Sequence, residues 1–435
     1  MPVYIHAKVS KSPSPTTSGL IGVRITGDSP MVKPTRLAVA IDTSGSMEGE
    51  RIDSVKRCLK VVINRLRVDD VLSVVGFSST STTILSEFVI SETNRATALQ
   101  SIDSLDADGG TNAEVAIAAL GAIYRNEKPD AMLFLTDGHI NEGISSRAGL
   151  YSLLSSHMGS VPFFTLGYGE SHNADLLRYL ALKTNATYTF AEDETALPAS
   201  MGELLTSLQY EVAKNVSFTV PPGWTCLEPN YDRTDSKYEF GSIVADKPTW
   251  ALFSLAPGTQ IATYPVCTVK LQGQELSMPV ILDDSINNLD VVEQEYRCLV
   301  AKTMESFATL FDRSDAESAS TELKAVLETL RSDPDAAIRP LVIRMIAQLE
   351  ELLEECNRTL RTPTRVRRRD VSPPSLAYRS RGLGANYATQ RGTSTNRGVT
   401  EYLFSSPAVR HNTVQIVNDY SQSIVDDPVN TPSIR

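Results

Sequence analysis

Four short apolar runs between residues 36 and 210 constrain this chain most: "RLAVAI", "DVLSVVGFS", "AMLFLT" and "VPFFTLGYG". Each is bounded by polar residues and lacks the alternation of a half-exposed strand, so each reads as a strand covered on both faces. Between them lie "RIDSVKRCLKVVINRL" and "TNAEVAIAALGAIYRN". In the first, Ile52, Val55, Leu59, Val62, Ile63 and Leu66 recur at helical spacing. Strands alternating with amphipathic helices imply an α/β fold, a doubly wound parallel sheet. Such sheets bind ligands where the carboxyl ends of their strands meet.

The flanking sequence has another character. From residue 211 to 284, "NVSFTV", "KYEFGSIV", "TWALFSLA", "TYPVCTVKL" and "ELSMPVIL" are short strands parted by Pro, Gly, Asp and Asn turns, which predicts a β-sandwich. "VYIHAKVS" and "GLIGVRIT", within residues 1–35, lie outside the α/β alternation and are expected to complete that sandwich. The α/β domain, residues 36–210, is then inserted between strands of a second domain. Residues 285–360 turn helical, with Leu289, Val292, Tyr296, Leu299, Val300, Met304, Phe307 and Leu310 in one stripe. Asp333-Pro334 fits an N-cap with proline at the first helical position, and Pro340 either kinks the next helix or starts it late. A three-helix bundle is expected. Beyond Arg361 the chain is rich in Arg, Ser, Thr, Gly, Asn and Pro without a sustained period, so an extended or disordered tail is expected for residues 361–435.

The first strand runs into "DTSGSM", which sets Asp42, Ser44 and Ser46 at every second position. In an extended chain the three side chains point the same way. "DADGGTNAE" places Thr111 at the mouth of a helix, and "AMLFLTDGHINEG" places Asp137 directly after a strand, as Asp42 follows its own. Neighbouring parallel strands bring Asp42, Ser44, Ser46, Thr111 and Asp137 to one crevice. All five offer hard oxygens, which suit Mg²⁺ (or Mn²⁺ or Ca²⁺ in its place) with waters retained. Two carboxylates at most neutralise the ion, which stays electrophilic toward an incoming carboxylate. Each residue also has a plainer use: Ser44-Gly45-Ser46 as a turn capping the next helix, Thr111 as an N-cap, Asp137-Gly138 as a turn.

In sequence these residues resemble the metal-ion-dependent adhesion site of von Willebrand factor A domains. In that family the D-x-S-x-S aspartate and serines, a threonine from a second loop and an aspartate from a third hold a divalent cation, and they match Asp42, Ser44, Ser46, Thr111 and Asp137. The resemblance implies that an acidic residue of a partner protein completes the metal shell. It also implies that the last helix of the domain, about Leu197 to Tyr210, shifts on ligand engagement. The flanking strands resemble members in which a β-sandwich straddles the A domain, as in inter-alpha-trypsin inhibitor heavy chains and plant RING-type A-domain proteins. The Cys/His cluster of the RING type is absent, so ligase activity does not carry over.

Other chemistries fit less well. A haloacid dehalogenase-type phosphatase needs a second carboxylate where Ser44 stands, and serine is no general acid at neutral pH. No G-x-x-x-x-G-K-[ST] loop or G-x-S-x-G elbow is present. His139 beside the site reads as a rim residue that shapes partner choice. No enzyme activity is expected. The five cysteines are scattered and never in C-x-x-C spacing, which argues for a reducing compartment. The first thirty residues have no continuous apolar segment, and no run is long enough to span a membrane, so an intracellular, cytoplasmic protein is expected. From Arg361 onward stand 11 Arg, no Lys and five acids, a surplus of six positive charges, against −17 for the rest. That imbalance gives no general nucleic-acid binder, although "RVRRR" at 365–369 is compatible with a nuclear signal. The alternative to a metal-dependent interaction module is a structural scaffold in which the metal only orders loops.

Overall fold

The computed structural model describes residues 3–12, 17–28, 34–159, 161–169, 172–184, 186–191, 193–229, 237–259, 266–271, 274–313, 315–361, 376–377, 380–381, 383–384, 394–396, 399–401 and 407–425. Two compact units are present: Met1–Met31 with Glu211–Arg391, and Val32–Tyr210 with Gly392–Arg435. Strands β1 (Val3–Lys11) and β2 (Gly19–Gly27) open the first unit, and the chain then builds the second.

The second unit is the doubly wound domain. It runs β3 (Arg36–Asp42), α1 (Glu50–Arg65), β4 (Val71–Phe77), β5 (Ser81–Val89), α2 (Arg95–Ile102), α3 (Ala113–Asn126), β6 (Ala131–Thr136), α4 (Arg147–Met158), β7 (Phe163–Tyr168), α5 (Ala174–Lys183), β8 (Tyr188–Ala191) and α6 (Leu197–Gln209). The sheet order is β5-β4-β3-β6-β7-β8. All neighbours are parallel except the β4–β5 pair. Every residue of β4, β6 and β7 is buried, as continuous apolar runs require. Phe77 of β4 stacks on Phe134 of β6 across the intervening β3, with centroids 4.9 Å apart, and Phe163 of β7 meets Phe134 in a tilted pair at 5.8 Å. The expected face of α1 is buried: Ile52, Val55, Leu59, Val62 and Ile63, closed by Leu66.

The first unit resumes with β9 (Glu211–Thr219), β10 (Trp224–Cys226), β11 (Lys237–Val244), β12 (Thr249–Leu255), β13 (Val266–Leu271), β14 (Gln274–Pro279) and β15 (Ile281–Leu282). They form two sheets, β10-β12-β2-β1-β15 and β11-β9-β13-β14. Ile5, Ile21, Val23, Phe218, Ile243 and Phe253 from both sheets share one core, so the two sheets pack face to face, with β1 and β2 in the first of them.

Helices α7 (Asn288–Asp312), α8 (Ala316–Ser332), α9 (Pro334–Ala337) and α10 (Pro340–Arg361) follow. The Asp333 side chain caps α9 by accepting the Ala336 amide at 3.1 Å, and Pro340 starts a new helix rather than kinking one. Val300, Met304 and Phe307 of the expected α7 stripe are buried, but in the N-terminal half of the helix the buried face is rotated. Leu289, Val292, Tyr296 and Leu299 are half-buried, while Val291, Gln294, Arg297 and Cys298 face inward. Arg297 is fully buried because both oxygens of Glu228 receive its guanidinium, at 2.6 and 2.7 Å.

The described parts of residues 361–435 depart from the extended or disordered tail expected. Ser380 and Gly384 lie against α7, where the Ser380 hydroxyl donates to the Met304 carbonyl at 2.7 Å. Short strands β16 (Ser394–Asn396) and β17 (Val399–Glu401) pair, and α11 (Pro407–Val425) packs along α1 and α6 of the α/β unit. Ile416 and Tyr420, one helical turn apart, are buried there. The "RVRRR" run lies outside the described residues. Among the described residues, Cys58, Cys226, Cys298 and Cys356 are free buried thiols, and no helix is long and apolar enough to cross a membrane.

Candidate metal site at the strand ends

β3 and β6 lie side by side, with Ile41 opposite Leu135, so Asp42 and Asp137 emerge at the same edge of the sheet. Asp42 has its oxygens taken from two directions. Its Oδ1 accepts the Ser44 amide at 2.8 Å and its Oδ2 the Thr136 hydroxyl at 2.5 Å. The Thr136 hydroxyl also accepts the Gly138 amide at 3.2 Å, so it ties the third loop to the first. Thr136 was not among the residues the sequence singled out, although the strand-T-D-G pattern held the clue.

Ser44 is extended, and the chain then closes a 3₁₀ turn over Gly45–Met47. The two serine hydroxyls are brought to 3.0 Å of one another by this turn, rather than by the extended chain the spacing suggested. Ser46 Oγ donates to Asp137 Oδ1 at 2.7 Å. Neither serine caps α1, whose N-cap is Gly49 at φ +81°. Nor does Thr111 cap α3; that role falls to Asn112, whose side chain accepts the Glu114 amide at 3.1 Å.

The second loop is stitched to its neighbours. The Gly45 amide donates to the Gly109 carbonyl at 3.0 Å, and the Asp108 amide to the Thr43 carbonyl at 2.8 Å. Gly109 holds φ +80°, a conformation that a side chain would strain. Thr111 is fixed through its amide to Asn141 Oδ1 at 2.8 Å. A methyl group on Gly138 would lie 3.6 Å from both Ser46 Oγ and Thr111 Oγ1, so both hydroxyls border Gly138. All five predicted residues therefore meet around one mouth. Asp42, Ser44, Thr111 and Asp137 are buried, while Ser46 and His139 are exposed at the rim.

The charges bear on what the site can hold. Burial pushes the Asp42 carboxyl up to about 6, against hydrogen bonds from Thr136 and Ser44, and the nearby Asp137 adds to the rise. A buried Asp42 carboxylate that resists ionisation is relieved by a cation. Among the described residues no three of His, Cys, Asp and Glu cluster, so hydroxyl oxygens would have to supply much of any metal shell. Hard hydroxyl and carboxylate oxygens fit Mg²⁺ and do not fit a thiophilic ion. One side chain was missed entirely. Arg51, in the first turn of α1, directs Nη1 to Asp137 Oδ2 and to the Ser46 carbonyl, the latter at 3.2 Å.

Residues 35–190 match the family model of the von Willebrand factor type A domain. By that match the segment is similar to a von Willebrand factor type A domain. Domains of this type mediate protein–protein interaction. The chain is 28% identical over 250 residues to the uncharacterized protein YfbK of Escherichia coli, covering 53% of this chain and 43% of that protein. It is 27% identical over 168 residues to human inter-alpha-trypsin inhibitor heavy chain H6, covering 35% of this chain and 13% of that protein. It thus spans under half the length of the curated relatives it matches. Among solved structures, a von Willebrand factor type A protein from Catenulispora acidiphila aligns over 95% of both chains with a TM-score of 0.60 at 14% identity. The ArnB paralog VWA2 from Sulfolobus acidocaldarius aligns over 89% of this chain and 98% of its own with a TM-score of 0.55 at 15% identity. At those identities the two structures show the fold alone.

Proposed function

We propose that this chain is a non-enzymatic, divalent-metal-dependent protein-interaction module. Asp42, Ser44, Ser46, Thr111 and Asp137 would hold Mg²⁺, or Mn²⁺ or Ca²⁺ in its place. The observation that carries the reading is the run of hydrogen bonds from Ser44 to Ser46 to Asp137 beside the doubly bonded Asp42. It gathers hard oxygens with two carboxylates at a solvent-facing mouth. When bound, the ion supplies an electrophilic position for an exposed Asp or Glu of a partner protein. The chain's own residues hold the loops for it: Thr136 orients Asp42, Asn141 orients Thr111, and the Gly109 carbonyl fixes Gly45. Free buried thiols among the described residues accord with a reducing, intracellular setting.

Calorimetric titration of Mg²⁺ into the wild type and into Asp42→Ala/Asp137→Ala tests this. Binding by the wild type alone is expected, and equal heats in both would overturn it.

One observation favours the scaffold reading instead. α11 docks on the α/β unit along α1 and α6, which turns part of that surface into an internal contact. If truncation before Pro407 abolished assembly with partners while Ser44→Ala left it intact, the scaffold reading would replace the metal-dependent one.

A further inference from the structure

Arg51 is the basic side chain that reaches the carboxylates of the site. It stands two residues past the N-cap of α1, so the helix that follows the D-x-S-x-S loop delivers it. Its Nη1 bridges Asp137 Oδ2 and the Ser46 carbonyl, and its Nη2 lies against Gly169, where an added methyl would sit 3.5 Å away. The Asp137 side chain is 0% exposed whereas that of Arg51 is 41% exposed. The buried acid is thus fixed and the arginine is the member with room to move. Asp137 divides its two oxygens, Oδ1 to Ser46 and Oδ2 to Arg51.

We propose that Arg51 is a resident counter-cation of this site, which neutralises Asp137 in the metal-free protein and lowers the affinity for a divalent ion. The inference rests on the metal-dependent reading above. Two carboxylates and one guanidinium carry a net charge of −1, and a divalent ion converts this to +1. The repulsion between Arg51 and the ion falls directly on the free energy of metal binding, and the partly buried setting screens it less than water would. The residual positive charge is cancelled by one carboxylate, so Arg51 favours an acidic partner for the loaded site over a neutral one. Without Arg51 the metal alone would bring the site to neutrality.

The test is Mg²⁺ titration calorimetry on the full chain and on Arg51→Gln, Arg51→Lys and Asp137→Ala, with melting in EDTA as a second readout. Arg51→Gln should bind Mg²⁺ about tenfold more tightly than the wild type. Arg51→Lys, which keeps the charge, should stay within about twofold of it. In EDTA, Arg51→Gln should melt below the wild type, and that difference should vanish in an Asp137→Asn background, where there is no carboxylate charge to neutralise. Binding by Arg51→Gln alone would also support the proposal. Equal or weaker binding by Arg51→Gln beside a wild type that binds would overturn the counter-cation role and leave the metal site standing. Silence in every protein would remove the metal reading itself, and this proposal with it.

Discussion

The Ser46 hydroxyl donates to Asp137 Oδ1 at 2.7 Å, joining two loops that are 91 residues apart. Asp137 is buried and Ser46 is exposed, so the contact holds an interior carboxylate from the solvent side. Ser46→Ala should therefore act even without metal, because it strips a donor from a buried acceptor. Such a loss costs about 1–3 kcal/mol. Denaturant melts in EDTA should show a loss of that size with an unchanged m-value. Undiminished stability would mean that Ser46 does not support Asp137.

The Arg297–Glu228 pair poses a different question, since both side chains are buried and the guanidinium fork meets both carboxylate oxygens. Glu228 Oε1 also accepts the Leu252 amide at 2.9 Å, so the pair pins α7 to β12. Removing one partner leaves the other charged and dry, at a cost of about 3–5 kcal/mol. Arg297→Met should fall in that range. The double variant Arg297→Met/Glu228→Gln should recover much of the loss, since glutamine still accepts the Leu252 amide. A double variant as unstable as the sum of the two single changes would show that the pair is not energetically coupled.

How much of this was legible in the sequence depends on whether local pattern or distant partners shape a residue. The strands β3, β4, β6 and β7 were readable because burial on both faces leaves continuous apolar runs. β5 was not, because it is an antiparallel edge strand whose Ser and Thr face solvent. The five site residues followed from strand-end positions, yet the serines converge through a 3₁₀ turn that alternate spacing does not encode. Thr136 and Arg51 were missed because their roles appear only once β6 lies beside β3 and α1 starts at Glu50. Arg297 defeats hydropathy altogether, since its burial depends on an acid 69 residues away. The tail misled for a related reason. α11 is rich in Val, Asn and Ser, poor helix formers on their own, and its Ile416 and Tyr420 are buried where it docks.

His172 provides a pH signature. Burial lowers its pKa to about 4, with the nearby His139 charge acting in the same sense and the hydrogen bond to the Gly169 carbonyl opposing. The carbonyl can only accept, so Nδ1 carries the proton, and Nε2 faces the Tyr188 hydroxyl at 2.8 Å. A depressed histidine pKa means that the unfolded chain binds the proton more readily. The stability that His172 contributes is therefore complete above about pH 6.5 and is lost as pH falls toward 4. The full effect is about 3 kcal/mol for a shift of this size. Unfolding free energies of the wild type and His172→Gln, measured from pH 7.5 to 4.5, should converge or cross as the pH falls. Parallel curves would exclude the buried neutral imidazole. Gly167 makes the arrangement possible, because a methyl there would lie 2.1 Å from Nε2, so Gly167→Ala should remove the same pH dependence by displacing the ring.

The docked α11 carries the last prediction. Arg65 on α1 donates to Asp419 Oδ2 at 2.8 Å through Nε and to Gln415 Oε1 at 2.7 Å through Nη1, both on the outer part of the contact. Those groups are partly exposed, and ion pairs in that setting contribute little, about 0–1 kcal/mol. The apolar positions beneath them are different, since Ile416 is 0% and Tyr420 2% exposed. Truncating either should cost about 2–5 kcal/mol of docking energy. Ile416→Ala/Tyr420→Ala should therefore release the helix, while Asp419→Asn should not. Hydrogen exchange separates the cases. In the double variant, amides of 407–425 should lose protection along with those of α6, whose residues are buried on nearly every side where α11 covers it. If α6 kept its full protection after α11 came away, the sheet and α1 alone would be holding it.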